Sequence, residues 1–158
     1  MASTIQRAYT SPTGKAAVLA KNDNDVVIVA AMRSAMTKVR SFRHPLSPLT
    51  FAQQGKRGGF KDTRPEEILS GILRAVYTKV NLDPALIEDI NVGNVLPPGG
   101  GAAAARMAAL HAGIPISTSI ATVNRQCSSG LTAVNQIATQ IIAGQIGIGI
   151  GKYWRAFS

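Results

Sequence analysis

The sequence predicts an α/β protein with a mostly parallel sheet covered by helices. Two observations lead to this fold class: short apolar runs alternate with longer segments that repeat apolar residues at helical spacing, and no two-residue hairpin turn separates neighbouring runs. Glycine and proline clusters mark the breaks between the segments. Successive βαβ units follow from this order, and we expect the sheet to be incomplete because the chain ends soon after its last strand.

Four segments are predicted to be strands. The run VVIVAA at Val26–Ala31 is short, apolar and β-branched, which is typical of a strand buried on both faces. Asp89–Val95 follows a short helical turn and ends at a proline and glycine loop. Thr118–Val123 and Ile146–Ile150 have the same apolar character and complete the predicted sheet.

Three segments are predicted to be helices. Pro65–Val80 begins after Thr63 as a candidate cap, with proline and two acids in its first turn. Ala102–His111 contains strong helix formers and is expected to close at a glycine, and Ser128–Ala143 repeats apolar residues at helical spacing. The predicted buried face of the first helix comprises Ile68, Ile72, Leu73, Val76 and Val80.

The composition excludes several classes of function. The formal net charge of +9 is carried by scattered Lys and Arg residues without a nucleic-acid-binding motif, so we predict no nucleic-acid partner, although an anionic cofactor remains compatible. One cysteine excludes an internal disulfide and a cysteine-rich metal site, and it favours a reducing compartment. We therefore predict no metal site. We also predict no membrane span, because charged and polar residues interrupt every long apolar run.

Cys127 is the candidate catalytic residue. It follows a predicted strand and a three-residue loop, and it precedes a small-residue run and an apolar helix. At the amino end of a helix, the helix dipole and unpaired amide groups stabilise negative charge and favour the nucleophilic thiolate. The alternative is a small core residue, which is the commoner role of a lone cysteine. His44 and His111 lie in no motif that would make them its base, so neither is assigned a role.

The residues around Cys127 resemble a known family. The run VNRQCSSGLTAV at 123–134 is similar to the acylation-site signature of thiolases, and closely to that of the peroxisomal 3-ketoacyl-CoA type. Three further segments resemble the same family in the same order: 26–38, 55–69 and 90–115. The resemblance therefore covers most of the chain and implies the amino-terminal part of a thiolase-like fold.

This resemblance implies a function and its partners. Cys127 would attack a 3-ketoacyl-CoA, release acetyl-CoA and hold the acyl group as a thioester until coenzyme A, the co-substrate, removes it in fatty-acid β-oxidation. The Cys127 amide would help to bind the oxyanion. No permanently bound cofactor is expected, and a homo-oligomer is implied. The implied location is the peroxisome, with mitochondrion or cytoplasm as alternatives, because Arg7-Ala8 does not fit the usual targeting sequence.

The other catalytic segments of thiolases do not occur in these 158 residues. Thiolases also use a later histidine, an oxyanion loop and a second cysteine, so we expect this chain alone to be a weak or inactive catalyst. Two alternatives remain open: a non-enzymatic truncated subunit that binds full-length thiolase, and a fragment of a biosynthetic acetoacetyl-CoA thiolase.

Two breaks in the family pattern suggest a domain organisation. We predict a flexible tail at 1–24 and a thiolase amino-terminal domain at 25–151, with an atypical insertion at 39–54 and an aberrant tail at 152–158. Both breaks can be encoded with splice-site sequences, so translated introns are one interpretation, and a surface insertion with a natural tail is the other. Transcripts sequenced across codons 38 to 55 distinguish the two, since a retained intron is absent from spliced transcripts.

Overall fold

A computed structural model of the chain describes residues 14–15, 19–21, 25–34 and 62–154. Within them, five main elements precede the last strand, and two short 3-10 turns lie at Pro84–Leu86 and Pro98–Gly101. The helices and strands, in chain order, are α1 (Pro65–Lys79), β1 (Asp89–Gly93), α2 (Ala102–His111), β2 (Ser119–Val123), α3 (Ser129–Ile142) and β3 (Gly149–Tyr153). The predicted α/β class is confirmed.

The three strands form one parallel sheet with the order β2-β1-β3. Asp89 of β1 is opposite Ser119 of β2 and Gly149 of β3, and the register continues to the end of each strand. The connection from β1 through α2 to β2 and the connection from β2 through α3 to β3 are both crossovers between parallel strands. The predicted βαβ units are therefore confirmed.

The two faces of β1 differ in chemistry. Ile90 and Val92 are fully buried in the apolar core, to which α1 and α2 contribute. Asp89 and Asn91 point to the other face, where they bond side chains of α3. Since successive side chains of a strand point to opposite faces, the alternation in DINVG encodes this difference directly.

The core between the sheet, α1 and α2 is built from small and branched residues. The alanines of α2 let this helix approach α1 and the sheet closely, because alanine adds only one carbon to the helix surface. Core members are Leu69, Leu73, Ile87, Ile90, Val92, Ala105, Ala108, Ala109, Ala112, Ile114, Ile150 and Trp154. No helix in residues 62–154 or in the shorter described ranges is long and apolar enough to cross a membrane.

Helix α1 begins at Pro65, as predicted, but its cap is one residue later than predicted. Arg64, not Thr63, is the N-cap residue, and its N–H donates to the Glu67 carboxylate over 2.7 Å. A carboxylate three residues into the helix satisfies an amide that would otherwise lack a partner. The buried face is also rotated, because Leu69 is fully buried together with Leu73 while Val80 is 36% exposed.

Two strand predictions need correction. Residues 25–34 are neither strand nor helix, and Val27, Ile28 and Val29 are at least 70% exposed rather than buried on both faces. A strand requires a neighbour for its backbone groups, and an apolar run alone does not specify one. The last strand occupies Gly149–Tyr153 instead of Ile146–Ile150, because pairing with β1 places it three residues later.

Candidate functional site

Cys127 lies on the turn between β2 and α3. The strand ends at Val123, Ser128 is the N-cap residue of α3, and the helix runs for 14 residues from Ser129. The thiol is exposed to solvent and belongs to no disulfide. The structure therefore places an accessible thiol directly before the amino end of a helix.

The backbone of this turn is unusual at Gln126. Its φ is 52°, a left-handed conformation that side-chain-bearing residues rarely adopt. The Gln126 N–H donates to Asn124 Oδ1 over 3.0 Å, which closes an Asx-type turn. Arg125 and Cys127 form an isolated bridge on either side of Gln126. The chain thus reverses sharply at the residue that precedes the thiol.

Ser129 forms hydrogen bonds with the backbone of this turn. Its side chain is fully buried, and its Oγ accepts the Arg125 N–H over 2.9 Å. The same hydroxyl lies 2.7 Å from the Gln126 carbonyl oxygen and 3.0 Å from the Asn94 carbonyl oxygen. Its one hydrogen can be donated to either of these oxygens. Ser129 therefore connects the cysteine turn to the loop that follows β1.

Glycines allow α3 to lie very close to the sheet. A Cβ at Gly93 of β1 would be 2.3 Å from the Ser129 carbonyl oxygen, and one at Gly151 of β3 would be 2.5 Å from Val134 Cα. Neither distance is possible for a real side chain, so both positions require glycine. The start of α3, and with it the cysteine turn, is consequently fixed against β1.

The loop after β1 carries the predicted glycine turn. Gly99, Gly100 and Gly101 all have positive φ, which an L-residue adopts only with strain. Asn94 is 1% exposed, and its Nδ2 donates to the Gly100 carbonyl over 2.6 Å. Its backbone N–H donates to Val123 O over 3.0 Å. Asn94 thus contacts the glycine turn, the end of β2 and Ser129.

The two histidines that were considered as a base for Cys127 do not lie at this turn among the described residues. His111 bonds Ser70 across the contact between α1 and α2, with 2.9 Å between Ser70 Oγ and His111 Nδ1. His44 falls outside the residues that the structure describes. Neither was assigned a role, and this stays a prediction. The sequence interpretation missed Ser129 and Asn94, for which the only signal was their place beside the signature and the glycine turn.

One charged group near the end of β3 has a perturbed acidity. Burial of the Lys152 ammonium and, second, the positive charge of Arg33 lower the pKa of Lys152 below its ordinary value of 10.5. Both effects disfavour the charged form. Arg33 belongs to the described amino-terminal segment, so this segment and β3 are electrostatically coupled.

A groove of about 490 Å³ opens between β1, β2 and α3. Its lining surface is polar and apolar in equal parts, and Cys127 is not among its lining residues. Asn91 Oδ1 and Gln140 Oε1 are buried there without a hydrogen-bond partner within the described part of the chain. The lining residues are Asn91, Ala121, Thr122, Val123, Gln136, Thr139 and Gln140.

Comparison with known proteins identifies the family. Residues 48–152 match the model of the thiolase N-terminal domain. A peroxisomal 3-ketoacyl-CoA thiolase of Yarrowia lipolytica is 46% identical over 138 residues, which are 87% of this chain and 30% of the relative. The peroxisomal 3-ketoacyl-CoA thiolase 1 of Arabidopsis thaliana is 49% identical over 81% of this chain and 26% of its own length. The chain thus spans less than a third of these relatives.

Solved structures agree. A peroxisomal 3-ketoacyl-CoA thiolase of Saccharomyces cerevisiae, described as a five-layered structure of two core domains, matches with a TM-score of 0.66 and 43% identity over 81% of this chain and 34% of its own. A structure described as the dimeric peroxisomal thiolase of the same yeast gives 0.65. An acetyl-CoA acetyltransferase of Bacillus anthracis gives 0.52, with 31% identity over 56% of this chain and 23% of its own. The chain therefore belongs to the thiolase family and corresponds to its amino-terminal domain.

Proposed function

We propose that the protein takes part in the thiolytic cleavage of 3-ketoacyl-CoA to acetyl-CoA and a shortened acyl-CoA, with Cys127 as the nucleophile. The observation that carries this proposal is the exposed thiol on a sharp turn directly before α3. Membership of the thiolase family and the names of the relatives support the substrate class.

The chemistry proceeds in two steps. The Cys127 thiolate attacks the 3-keto carbon, a carbon–sulfur bond forms, and the bond between the second and third carbons breaks. Its electron pair goes to the second carbon, which takes up a proton to give acetyl-CoA. Coenzyme A then attacks the thioester on Cys127 and frees the thiol. A covalent nucleophile divides one difficult bond cleavage into two easier steps.

The turn also offers groups for charge stabilisation. An oxyanion develops on the attacked carbonyl, and backbone N–H groups directed at that oxygen lower the barrier. The Cys127 amide is the group we assign to this role, because it belongs to the nucleophile itself and lies at the start of α3. Coenzyme A is the co-substrate in this proposal, and no permanently bound cofactor is required.

Assembly and location are part of the same proposal. A homo-oligomer is supported by the yeast neighbour that is described as dimeric. The peroxisome is supported by the relatives named as peroxisomal, including a rat 3-ketoacyl-CoA thiolase B that is 55% identical over 94 residues, 60% of this chain and 22% of its own length. The degradative type is favoured over the biosynthetic acetyl-CoA type, because identity to the yeast thiolase is 43% and to the bacterial acetyltransferase 31%.

The test is to detect the acyl group on Cys127 by intact-protein mass spectrometry. The chain is incubated with a 3-ketoacyl-CoA and, separately, with octanoyl-CoA, which transfers its acyl group by thioester exchange. We expect a single acylation, slow because the chain alone is a weak catalyst, to leave a thioester adduct on wild type and on Ser128→Ala. No adduct is expected on Cys127→Ala, because the chain has one cysteine. Iodoacetamide labelling serves as the accessibility control. A chain that is alkylated at Cys127 but acquires no acyl group from either substrate would contradict the proposal.

A further inference from the structure

The two serines that follow Cys127 make different contacts. Ser128 occupies the N-cap position, yet its side chain makes no capping hydrogen bond and is exposed. Ser129 is fully buried and directs its hydroxyl backward into the turn, toward Arg125 and Gln126. The usual preference would give the helix-start bond to Ser128. Here the buried hydroxyl of Ser129 bonds the turn instead.

The turn needs such support because Gln126 is in the left-handed region. A non-glycine residue persists in that conformation only when its surroundings determine it. Two groups flanking Gln126 bond the Ser129 hydroxyl: the Arg125 N–H at 2.9 Å and the Gln126 carbonyl at 2.7 Å. Asn124 adds one more bond, to the Gln126 N–H. Removal of the hydroxyl withdraws the two bonds it makes beside Gln126 and leaves the Asn124 bond and the backbone bonds from the Ser128 and Ser129 N–H groups.

The hydroxyl also ties the turn to the sheet. Ser129 Oγ lies 3.0 Å from the Asn94 carbonyl oxygen, and the Asn94 N–H bonds Val123 at the end of β2. Gly93, the neighbour of Asn94, lets the Ser129 backbone approach β1 closely. The contacts therefore run from two strand ends through one hydroxyl to the residue preceding the thiol.

We infer that Ser129 is a positioning residue for Cys127: its buried hydroxyl holds Gln126 in the left-handed conformation that directs the thiol toward an incoming acyl group. This inference rests on the proposed function, since it concerns the same thiol. Because Ser129 is fully buried, it acts through the backbone of residues 125 and 126. Misplacement of a nucleophile by about 1 Å can cost on the order of 100-fold in rate.

The experiment compares four proteins: wild type, Ser128→Ala, Ser129→Ala and the double variant Ser129→Ala with Gln126→Gly. Each is reacted with octanoyl-CoA and with iodoacetamide, and the rate of adduct formation on Cys127 is followed by mass spectrometry. Circular dichroism melts fix a temperature at which all four are fully folded. Glycine adopts a positive φ without strain, so the double variant removes the strain at position 126 without restoring the hydroxyl.

We expect Ser129→Ala to slow acylation by at least about tenfold, Ser128→Ala to stay within about twofold of wild type, and the double variant to recover most of the loss. Recovery distinguishes positioning from general support of the fold, because glycine at 126 adds no contact to the space that the hydroxyl leaves. Acylation of folded Ser129→Ala at the wild-type rate, or no recovery in the double variant, would overturn the inference.

Failure of the proposed function gives a different result. If octanoyl-CoA and a 3-ketoacyl-CoA leave no adduct on wild type, the proposed function fails, and the iodoacetamide rates then decide the positioning role. The inference is supported if the alkylation rate of Ser129→Ala differs from that of wild type by at least about threefold and the rate of the double variant is close to that of wild type. Equal alkylation rates in all four proteins overturn it.

Discussion

The buried ammonium of Lys152 lowers the stability of the folded state when it is charged. The residue lies in β3, where burial and the charge of Arg33 lower the pKa of its ammonium below 10.5. The unfolded chain therefore binds the proton more tightly than the folded chain. Between the folded pKa and 10.5 the unfolded state carries more protons, so the free energy of unfolding rises with pH across that window.

Replacement of Lys152 by Met tests this. We expect Lys152→Met to be more stable than wild type at neutral pH, because methionine keeps the aliphatic volume and removes the charge. The advantage should shrink as pH rises toward 10.5, where wild type loses its own charge. Urea unfolding at a series of pH values gives both free energies. Lys79→Met, at an exposed end of α1, is the matched control and should follow wild type. An advantage that is independent of pH would contradict the assignment.

Helix α3 is the element that positions the candidate nucleophile. It approaches β1 and β3 very closely at three glycines: Gly93 and Gly151 on the strands and Gly130 on the helix. A Cβ at Gly130 would lie 2.6 Å from Tyr153 Cβ. Such packing leaves little freedom in the height of the helix above the sheet. The position of Cys127 relative to the sheet is therefore set by backbone contacts between α3 and the strands.

Two glycine-to-alanine changes should have opposite effects. Gly93→Ala forces a methyl group against the Ser129 carbonyl at 2.3 Å and should destabilise the chain by about 1–3 kcal/mol or more. Gly71→Ala, at an exposed site within α1 with no atom nearby, should stabilise it by roughly 0.5–1 kcal/mol, since alanine favours the helix. Urea denaturation followed by circular dichroism measures both. Equal effects of the two changes would mean that the close approach at Gly93 is relaxed in solution.

Trp154 connects distant parts of the chain. It is 4% exposed, its backbone N–H donates to Gly93 O over 2.7 Å, and its Nε1–H donates to Pro65 O over 3.0 Å. The end of β3 is thereby joined to β1 and to the start of α1. Strand β3 extends past Gly151, after which a domain boundary was predicted. That boundary stays a prediction. The proposed insertion at 39–54 lies outside the described residues.

Substitution of Trp154 separates packing from hydrogen bonding. Trp154→Ala empties a buried site and should cost about 3–5 kcal/mol of unfolding free energy. Trp154→Phe keeps most of the ring and loses one hydrogen bond, with an expected cost of about 1–2 kcal/mol. Chemical denaturation followed by circular dichroism is suitable because both variants lack the chain's one tryptophan. A loss below about 1 kcal/mol for Trp154→Ala would show that Trp154 does not contribute to the core.

Local pattern predicted some features of the fold and not others. The bounds of α2 and the course of α1 followed from helix formers, a proline start and periodic apolar residues. The placement of β3 and the state of residues 25–34 did not, because a strand is defined by its neighbour and not by its own residues. Burial of Leu69 in place of Val80 likewise depended on where α2 packs.

The sequence by itself determined the α/β class, the family and the place of Cys127 before a helix, because these depend on local spacing and on a contiguous signature. Only the tertiary structure decided that Ser129 joins the cysteine turn to Asn94 after β1, that α3 packs against Gly93 and Gly151, and that Trp154 joins β3 to α1. Each of these relations brings together residues far apart in the chain. A contact between distant segments arises from the packing of whole elements, and no local pattern contains that information.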